Sequence, residues 1–384
     1  MRIEVQRDLI RRFRRALAEP ERELAPAPKQ FPAADFVDPA HLALEREVLF
    51  RQRPLVAAVS AEVSAPGSYV AVDLDGVPVL VVRGDDGRAR VFRNACRHRG
   101  VAIAAGRGTA RPVLTCPFHA WSYRLDGSLH RQPLAAGCFD IEGESFGLAE
   151  LPSDEAAGVI LTRLDGKPVE APAALGPLAA DFEALDLAGH HHVETRVQER
   201  PCNWKLILDT FLEAYHLSFL HKESISSLYY TRPTMFDVMG EHLRFVPIRR
   251  SFDSLGDDPA GWSLLPHTTA HWLVFPNVLV VYQVDHIETW RVFPVGDDPG
   301  RCRIETSVYA PPGPLDEAGR AYCSRNLDYL LNVTNNEDFP QTEAAQRSFA
   351  ADPESAVVFG RNEWPLIHFH EQLERATRPF SSVR

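Results

Sequence analysis

No stretch of this 384-residue chain stays apolar for the roughly 18 residues that a membrane-spanning helix needs. The start, MRIEVQRDLIRRFRRALAEP, lacks the short apolar core of a secretory signal. The six cysteines, at 96, 116, 138, 202, 302 and 323, are too scattered to read as a disulfide framework in a chain of this size, which implies a reducing compartment. An excess of positive charge is also missing. The net charge of −11 argues against a nucleic-acid partner. There is no internal repeat, and the one biased tract, EPERELAPAPKQFPAADF, reads as an extended arm. What remains is a cytoplasmic enzyme-sized chain bound to neither membrane nor nucleic acid, long enough for two or three domains and a large core.

Periodicity supplies the organisation. Val5, Leu9, Phe13 and Ala16/Leu17 recur at helical spacing with arginines between them, so the chain opens on an amphipathic helix ended by Pro20. Such a helix can touch a membrane, but packing on the protein's own surface is the expected role. DPAHLALEREVLFRQ reads as a second helix. SYVAVDL, VPVLVVR and RARVFRN are short β-rich runs separated by the turns DGVP and GDDG, and WSYRLDGSLH is a further hairpin. Later segments alternate strands, such as HHHVETRVQERPCNWKL and HWLVFPNVLVVYQVDHIETWRVFPVG, with long helices near 315–350 and at FGRNEWPLIHFHEQLERAT. The expectation is α+β: an N-terminal helix and arm over 1–40, a small all-β unit over 41–165, and a mixed domain over 166–384 with an antiparallel sheet and long helices.

Two mixed pairs sit in the all-β part. Cys96 and His98 are separated by one residue, Cys116 and His119 by two, with 17 residues between the pairs. Thiolate and neutral imidazole are ligands for borderline-soft metals, and two of each can close a zinc tetrahedron. Zinc sites usually pair Cys with Cys and His with His. Mixed pairs on two loops suit a 2Fe–2S cluster in which one iron takes both thiolates and the other both imidazoles. Within CRH and CPFHAW, with FRNACRHRG before and WSYRLDG after, this resembles the Rieske domain of the aromatic-ring-hydroxylating oxygenases.

More than 200 residues follow, and NWKLILDTFLEAYHLSFLHKES holds Asp209, Glu213, His216 and His221. On one continuous helix the first three share a face. His221 would lie about 140° round from His216, so both can meet one metal where the helix ends or bulges between them. Two histidines need a carboxylate to complete a facial triad that leaves positions open for dioxygen, and Glu337 and Asp338 both offer one. The pattern NWKL, E-x2-H-x4-H and a downstream ED-x4-E-x2-Q again resembles the Rieske oxygenase family. That resemblance implies Asp338 as the third ligand, Glu343 and Gln346 as the rest of the pattern, and a helix-grip catalytic domain. It departs from the family at Asp209-Thr210, where EN is frequent, and at Glu213, where Asp is frequent. Glu there occurs in the branch that oxidises quaternary amines, though not there alone. The usual Trp is absent from FRQRPLVAAV.

The resemblance implies a terminal oxygenase, the catalytic α-subunit. Electrons from NAD(P)H, delivered by a separate reductase and in some systems a ferredoxin, enter the 2Fe–2S cluster at Cys96, His98, Cys116 and His119. They pass to Fe(II) at His216, His221 and Asp338, where O2 is activated beside a small organic substrate. An aromatic compound is the first expectation and a betaine-like quaternary amine the alternative. Glu213 is expected to bridge the two metals between subunits of a homotrimer that needs no β subunit, and Asp209 to support a ligand from behind. The rival readings are an electron-transfer protein with a non-catalytic ligand-binding domain and a structural zinc protein. His190 to His192 read as solvated, His267, His271 and His286 as non-ligands, and His368 and His370 as core or pocket wall. Cys138, Cys202, Cys302 and Cys323 read as ordinary thiols. Arg93, Arg97, Arg99, Arg107 and Arg111 offer either a solvated face or a docking face for an acidic electron donor.

Overall fold

The structure is a computed structural model that describes residues 1–19, 23–134, 139 and 146–381. Cys138 lies outside the described residues. The chain forms two compact units. One comprises Leu49–Leu175 and Asp186–Gly189; the other comprises Met1–Val48, Gly176–Leu185 and His190–Arg384. The division falls at 49 and 175 where the sequence reading drew it at 41 and 165, and the N-terminal helix and arm belong to the larger unit.

Among the described residues the smaller unit is β-sheet apart from short helical turns and the five-residue helix Ala171–Leu175. Its five-stranded sheet runs Glu150–Leu151, Ala89–Arg93, Val77–Arg83, Ser68–Leu74, Arg107–Thr109. A three-stranded sheet of Val113–Thr115, Ser122–Arg124 and Leu129–Arg131 carries the expected WSYRLDGSLH hairpin. Gly127 in that turn has φ +86°, and a Cβ there would meet the Phe92 ring at 2.4 Å, so glycine is required twice over. Leu80, Val82, Phe92, Leu114, Trp121 and Tyr123 build the core, and Cys96 and Cys116 belong to it.

The larger unit is organised on a seven-stranded antiparallel sheet ordered His191–Arg200, Asp298–Ala310, Ile287–Val295, Val278–Tyr282, Ala270–Val274, His242–Val246, Met235–Met239. The helix Glu317–Val333 packs on its first two strands through Cys323 and Leu327. It continues through a π turn, Thr334–Asp338, into the helix Phe339–Ala351. Pro340 has no N–H to give the preceding turn, which suits a local break in the α ladder. The helix Trp204–Phe211 is capped by Asn203, whose side chain accepts from Lys205 N at 3.0 Å. The backbone N–H of Asn203 donates to Gln346 Oε1 at 2.9 Å, so the two segments that carry the chemistry are tied together at their base.

The opening helix, Ile3–Ala18, buries Leu9, Ile10, Phe13 and Ala16 against the larger unit. Phe13 packs edge-on against Phe252 and Tyr230. Arg12 pairs with Glu23 and Asp237, and Arg14 with Asp257, so this helix packs on the protein's own surface as expected. Among the described residues no helix is long and apolar enough to cross a membrane.

Candidate active site

The two Cys/His loops are built on one plan. Cys96 donates its N–H to Val101 O at 2.8 Å and accepts at its own carbonyl from Gly100 N at 2.8 Å. Cys116 does the same with Trp121 O at 2.8 Å and Ala120 N at 3.1 Å. Gly100 and Ala120, the fourth residue on in each loop, both take positive φ, +76° and +55°. Each loop therefore folds back on its own cysteine, and the histidine inside it is presented at the tip. Asn94 fixes the first loop by accepting from Ile103 N at 2.8 Å and donating to Ala104 O at 2.8 Å.

The side chains converge accordingly. The rings of His98 and His119 are 4.6 Å apart, and His98 stacks on Trp121 at 4.9 Å. Cys96 and Cys116 are buried and free. Tyr123 Oη lies 3.2 Å from Cys96 Sγ and accepts from Arg97 N at 3.0 Å. Burial, then the bond to Cys96, raises the Tyr123 pKa, so it remains a protonated donor toward the sulfur.

In the larger unit, the helix Trp204–Phe211 stops before Glu213, and His216 starts a 3₁₀ turn. Glu213 forms that turn by accepting from His216 N at 3.1 Å and from Tyr215 N. Its other oxygen takes His216 Nδ1. His221 Nδ1 is held by Glu337 Oε2 at 2.6 Å, which also accepts from Ser224 Oγ at 2.8 Å. Both Nε2 atoms face Asp338 Oδ1, at 3.1 Å for His221 and 3.5 Å for His216. One ligand atom from each of His216, His221 and Asp338 lies within 4.8 Å of the others. Each histidine thus has a carboxylate behind it and a shared carboxylate in front, the arrangement that fixes the ring tautomer of a metal ligand.

These three residues line a cavity of about 90 Å³ that opens to solvent. Phe211, Tyr229 and Phe245 give it aromatic walls, and Thr269, Gln283 and Glu288 give it polar ones. Glu288 is buried, accepting from Trp290 Nε1 at 3.2 Å and lying 3.1 Å from His286 Nε2. His271 faces the same cavity. Burial pushes its pKa down to about 4, against a smaller opposing bond from the Phe211 backbone, so the ring is neutral.

Residues 186–378 match the family of the ring hydroxylating alpha subunit (catalytic domain), and residues 53–146 match the Rieske [2Fe-2S] domain. The chain is a Rieske non-haem iron oxygenase. It is 28% identical to the chloroplastic choline monooxygenase of Beta vulgaris over 91% of this chain and 76% of that one. It is 33% identical to the carnitine monooxygenase oxygenase subunit of Acinetobacter pittii, over 46% of this chain and 48% of that subunit. A quaternary ammonium Rieske monooxygenase, solved with L-carnitine, superposes with a TM-score of 0.75 at 21% identity, covering 90% of this chain and 94% of that one. Naphthalene 1,2-dioxygenase from Rhodococcus sp. superposes with a TM-score of 0.75 at 18% identity over 98% of both chains, which shows a shared fold.

A Rieske oxygenase is an oxidoreductase that holds a 2Fe–2S cluster and a mononuclear non-haem iron, takes electrons from a reductase and uses O2. The residues present fit both groups. In the smaller unit two free buried thiols and two imidazoles meet, and His98 Nδ1 is buried with no protein partner. In the larger unit two imidazole Nε2 atoms and one carboxylate converge at the wall of an open cavity. Electron transfer without catalysis, and structural zinc, were the rival readings. Membership of this family decides against both.

Several expectations are corrected. Asp209, Glu213 and His216 do not share a helix face, because the helix ends at Phe211, ahead of His216 rather than between His216 and His221. Asp209 does not stand behind a candidate ligand; its carboxylate meets His370 Nε2 at 3.0 and 3.2 Å. His190 is buried rather than solvated, and His192 Nε2 lies 2.8 Å from Thr195 Oγ1. Of the five arginines near the Cys/His loops, Arg107 is half-buried and pairs with the buried Glu62, while Arg93, Arg97, Arg99 and Arg111 are exposed. The cavity residues Thr269, Gln283 and Glu288 escaped the sequence reading, since isolated polar residues in strands carry no motif.

Proposed function

We propose that this Rieske oxygenase monooxygenates a small quaternary ammonium compound rather than an aromatic hydrocarbon. The observation that carries this reading is Glu288, a buried carboxylate in the wall of the cavity that His216, His221 and Asp338 line, beside the rings of Phe211, Tyr229 and Phe245. A quaternary ammonium cannot donate a hydrogen bond. It is drawn instead to aromatic faces and to negative charge. The similarity to monooxygenases named for choline and carnitine supports the same substrate class.

In this reading Cys96 and Cys116 hold one iron of the cluster, and His98 and His119 the other. His216, His221 and Asp338 hold the mononuclear Fe(II). When bound, the mononuclear iron supplies dioxygen activation and the cluster supplies electrons one at a time. The balance is one substrate C–H, O2, two electrons and two protons giving C–OH and water. Where that carbon is attached to the ammonium nitrogen, the C–N bond then breaks to give an amine, a carbonyl compound and a proton. The protein's part is positional. Glu213 and Glu337 keep a proton on each Nδ1, leaving both Nε2 lone pairs free. The aromatic walls exclude water, and Glu288 orients the cation.

Electrons come from NAD(P)H through a separate reductase, with or without a ferredoxin between. The assembly in this reading is a cytoplasmic homotrimer without a β subunit, in which Glu213 links the cluster of one chain to the iron of the next. Inter-subunit electron transfer is described for a similar quaternary ammonium Rieske monooxygenase, which supports this arrangement.

The test is dioxygen uptake with a NAD(P)H-dependent reductase over choline, glycine betaine, L-carnitine, benzoate and naphthalene. Uptake matched one to one by product from an ammonium compound is expected. Coupled uptake with naphthalene alone overturns the reading.

A further inference from the structure

The cavity beside His216, His221 and Asp338 leads into an outer recess, and the two share Ile225, Tyr229, Gln283, Glu288, Leu330 and Val333 as walls. Arg249 lines that recess. Its backbone is fixed: its N–H donates to His267 O at 2.8 Å, and the residue bridges to Tyr229. Its guanidinium donates to Thr269 Oγ1 at 3.1 and 3.3 Å and to Gln283 Oε1 at 3.3 Å, and lies 5.5 Å from the Tyr229 ring. All of these partners are neutral, and the hydrogen bonds are long. Among the described residues Arg249 forms no ion pair and its Nη1 has no hydrogen-bond partner.

The carboxylates nearby are engaged elsewhere. Asp285 accepts from Tyr322 Oη at 2.5 Å and faces His286 Nδ1 at 2.7 Å, while Glu288 is bound to His286 and Trp290. A half-buried guanidinium that neutral acceptors hold still and no carboxylate neutralises is a pre-set receptor for an anion.

We propose that Arg249 seats a carboxylate of the substrate, so the enzyme acts on an ammonium acid rather than an amino alcohol. This rests on the reading of the cavity as the substrate site. With the acid group on Arg249, the other end of a short substrate extends past Tyr229 and Glu288 toward His216, His221 and Asp338. The two classes in question differ in one respect: carnitine and glycine betaine carry a carboxylate, and choline carries a hydroxyl in its place. Arg249 therefore determines specificity between them.

The experiment is anaerobic titration calorimetry of the iron-loaded holoenzyme, without reductase, so that binding is read without turnover. The probes are L-carnitine, glycine betaine, choline and benzoate. The wild type is expected to bind at least one of the two ammonium acids about tenfold or more tighter than choline, the effect of one charge-assisted pair. In Arg249→Gln that ratio collapses toward one, and Arg249→Lys, which keeps the charge but loses the fork, retains part of it. Choline binding as tightly as both acids in the wild type overturns the proposal. So does an Arg249→Gln that weakens acids and choline by one common factor while keeping its Rieske spectrum. If Arg249→Gln does not fold, the wild-type ratio and Arg249→Lys decide. Benzoate binding that depends on Arg249, with no ammonium compound bound, would retain the carboxylate seat and remove the quaternary ammonium reading. Ammonium binding indifferent to Arg249 would do the reverse.

Discussion

Glu337 Oε2 lies 2.6 Å from His221 Nδ1, while the adjacent Asp338 places Oδ1 3.1 Å from Nε2 of the same ring. Consecutive residues thus grip one imidazole from opposite sides, which the π turn Thr334–Asp338 permits. The two carboxylates are therefore not interchangeable. Asp338→Ala is expected to lose mononuclear iron while the Rieske absorption remains. Glu337→Gln should keep the site and weaken iron binding roughly 10- to 100-fold, the usual cost of losing the group behind a ligand. Iron per chain, read against the Rieske band as internal reference, separates the two. Full iron in Asp338→Ala with none in Glu337→Gln would exchange their roles.

Lys205 leads to a second prediction, on stability. Its Nζ donates to the fully buried Glu45 at 2.6 Å and to Asp35 O at 2.9 Å, and Trp204 Nε1 donates to the other Glu45 oxygen at 3.0 Å. Burial alone would raise the Glu45 pKa, but Lys205 and His41 together hold it down at about 2. Lys205→Met leaves a buried carboxylate without its cation, at an expected cost of about 3–5 kcal/mol in denaturant unfolding. Adding Glu45→Leu should recover most of that loss. If the double variant is as unstable as the single, packing rather than charge explains the effect.

His286 makes stability depend on pH. Burial lowers its pKa, but the bonds and charges of Glu288 and Asp285 outweigh this and the net shift is upward. A group raised in the folded state stabilises fully below its unfolded value, about 6.5. That contribution is lost as pH rises through the higher folded value. His286→Gln should therefore be less stable than wild type by roughly 1–3 kcal/mol near pH 6, and the gap should narrow as pH rises. Thermal melts from pH 6 to 9 test this, and a gap that widens with pH contradicts it.

The candidate ligand pairs were legible because thiols and imidazoles are rare and the loops that present them are short. Cys96, His98, Cys116 and His119 stood out by their spacing, and the resemblance of the flanking segments chose a cluster over zinc. His216 and His221 were visible in the same way, but their support was not. An unbroken helix put Asp209 beside Glu213. Instead, Glu213 turns back to accept the N–H groups of Tyr215 and His216, which closes a new turn and leaves Asp209 facing His370. The strands Met235–Met239 and His242–Val246 went unread. Both are only five residues long; MFDVM has a single polar residue, and in HLRFV the alternating His242 and Arg244 are buried with Leu243 and Phe245, so no solvent-facing stripe marks it. Arg249, Thr269, Gln283 and Glu288 come from separate segments, and no local pattern joins them.

Glu213 gives the last prediction. It binds His216 Nδ1 with one oxygen and the backbone of the same turn with the other, so it both orients a candidate iron ligand and shapes the chain that carries it. In the proposed trimer the same carboxylate meets the cluster-bearing His119 of the next subunit. Glu213→Gln keeps the shape and an acceptor oxygen but removes the charge. Both metals should remain at wild-type content, and the 3₁₀ turn at His216 should be intact by crystallography. The transfer of electrons from cluster to iron should slow by tenfold or more, on the order of one charge-assisted hydrogen bond. Rapid mixing of the reduced protein with substrate and O2 follows this as the rate of cluster re-oxidation in a single turnover. A wild-type rate in Glu213→Gln, or full activity from a monomer at high dilution, would sink the inter-subunit bridge. Loss of iron in Glu213→Gln would instead limit Glu213 to holding His216.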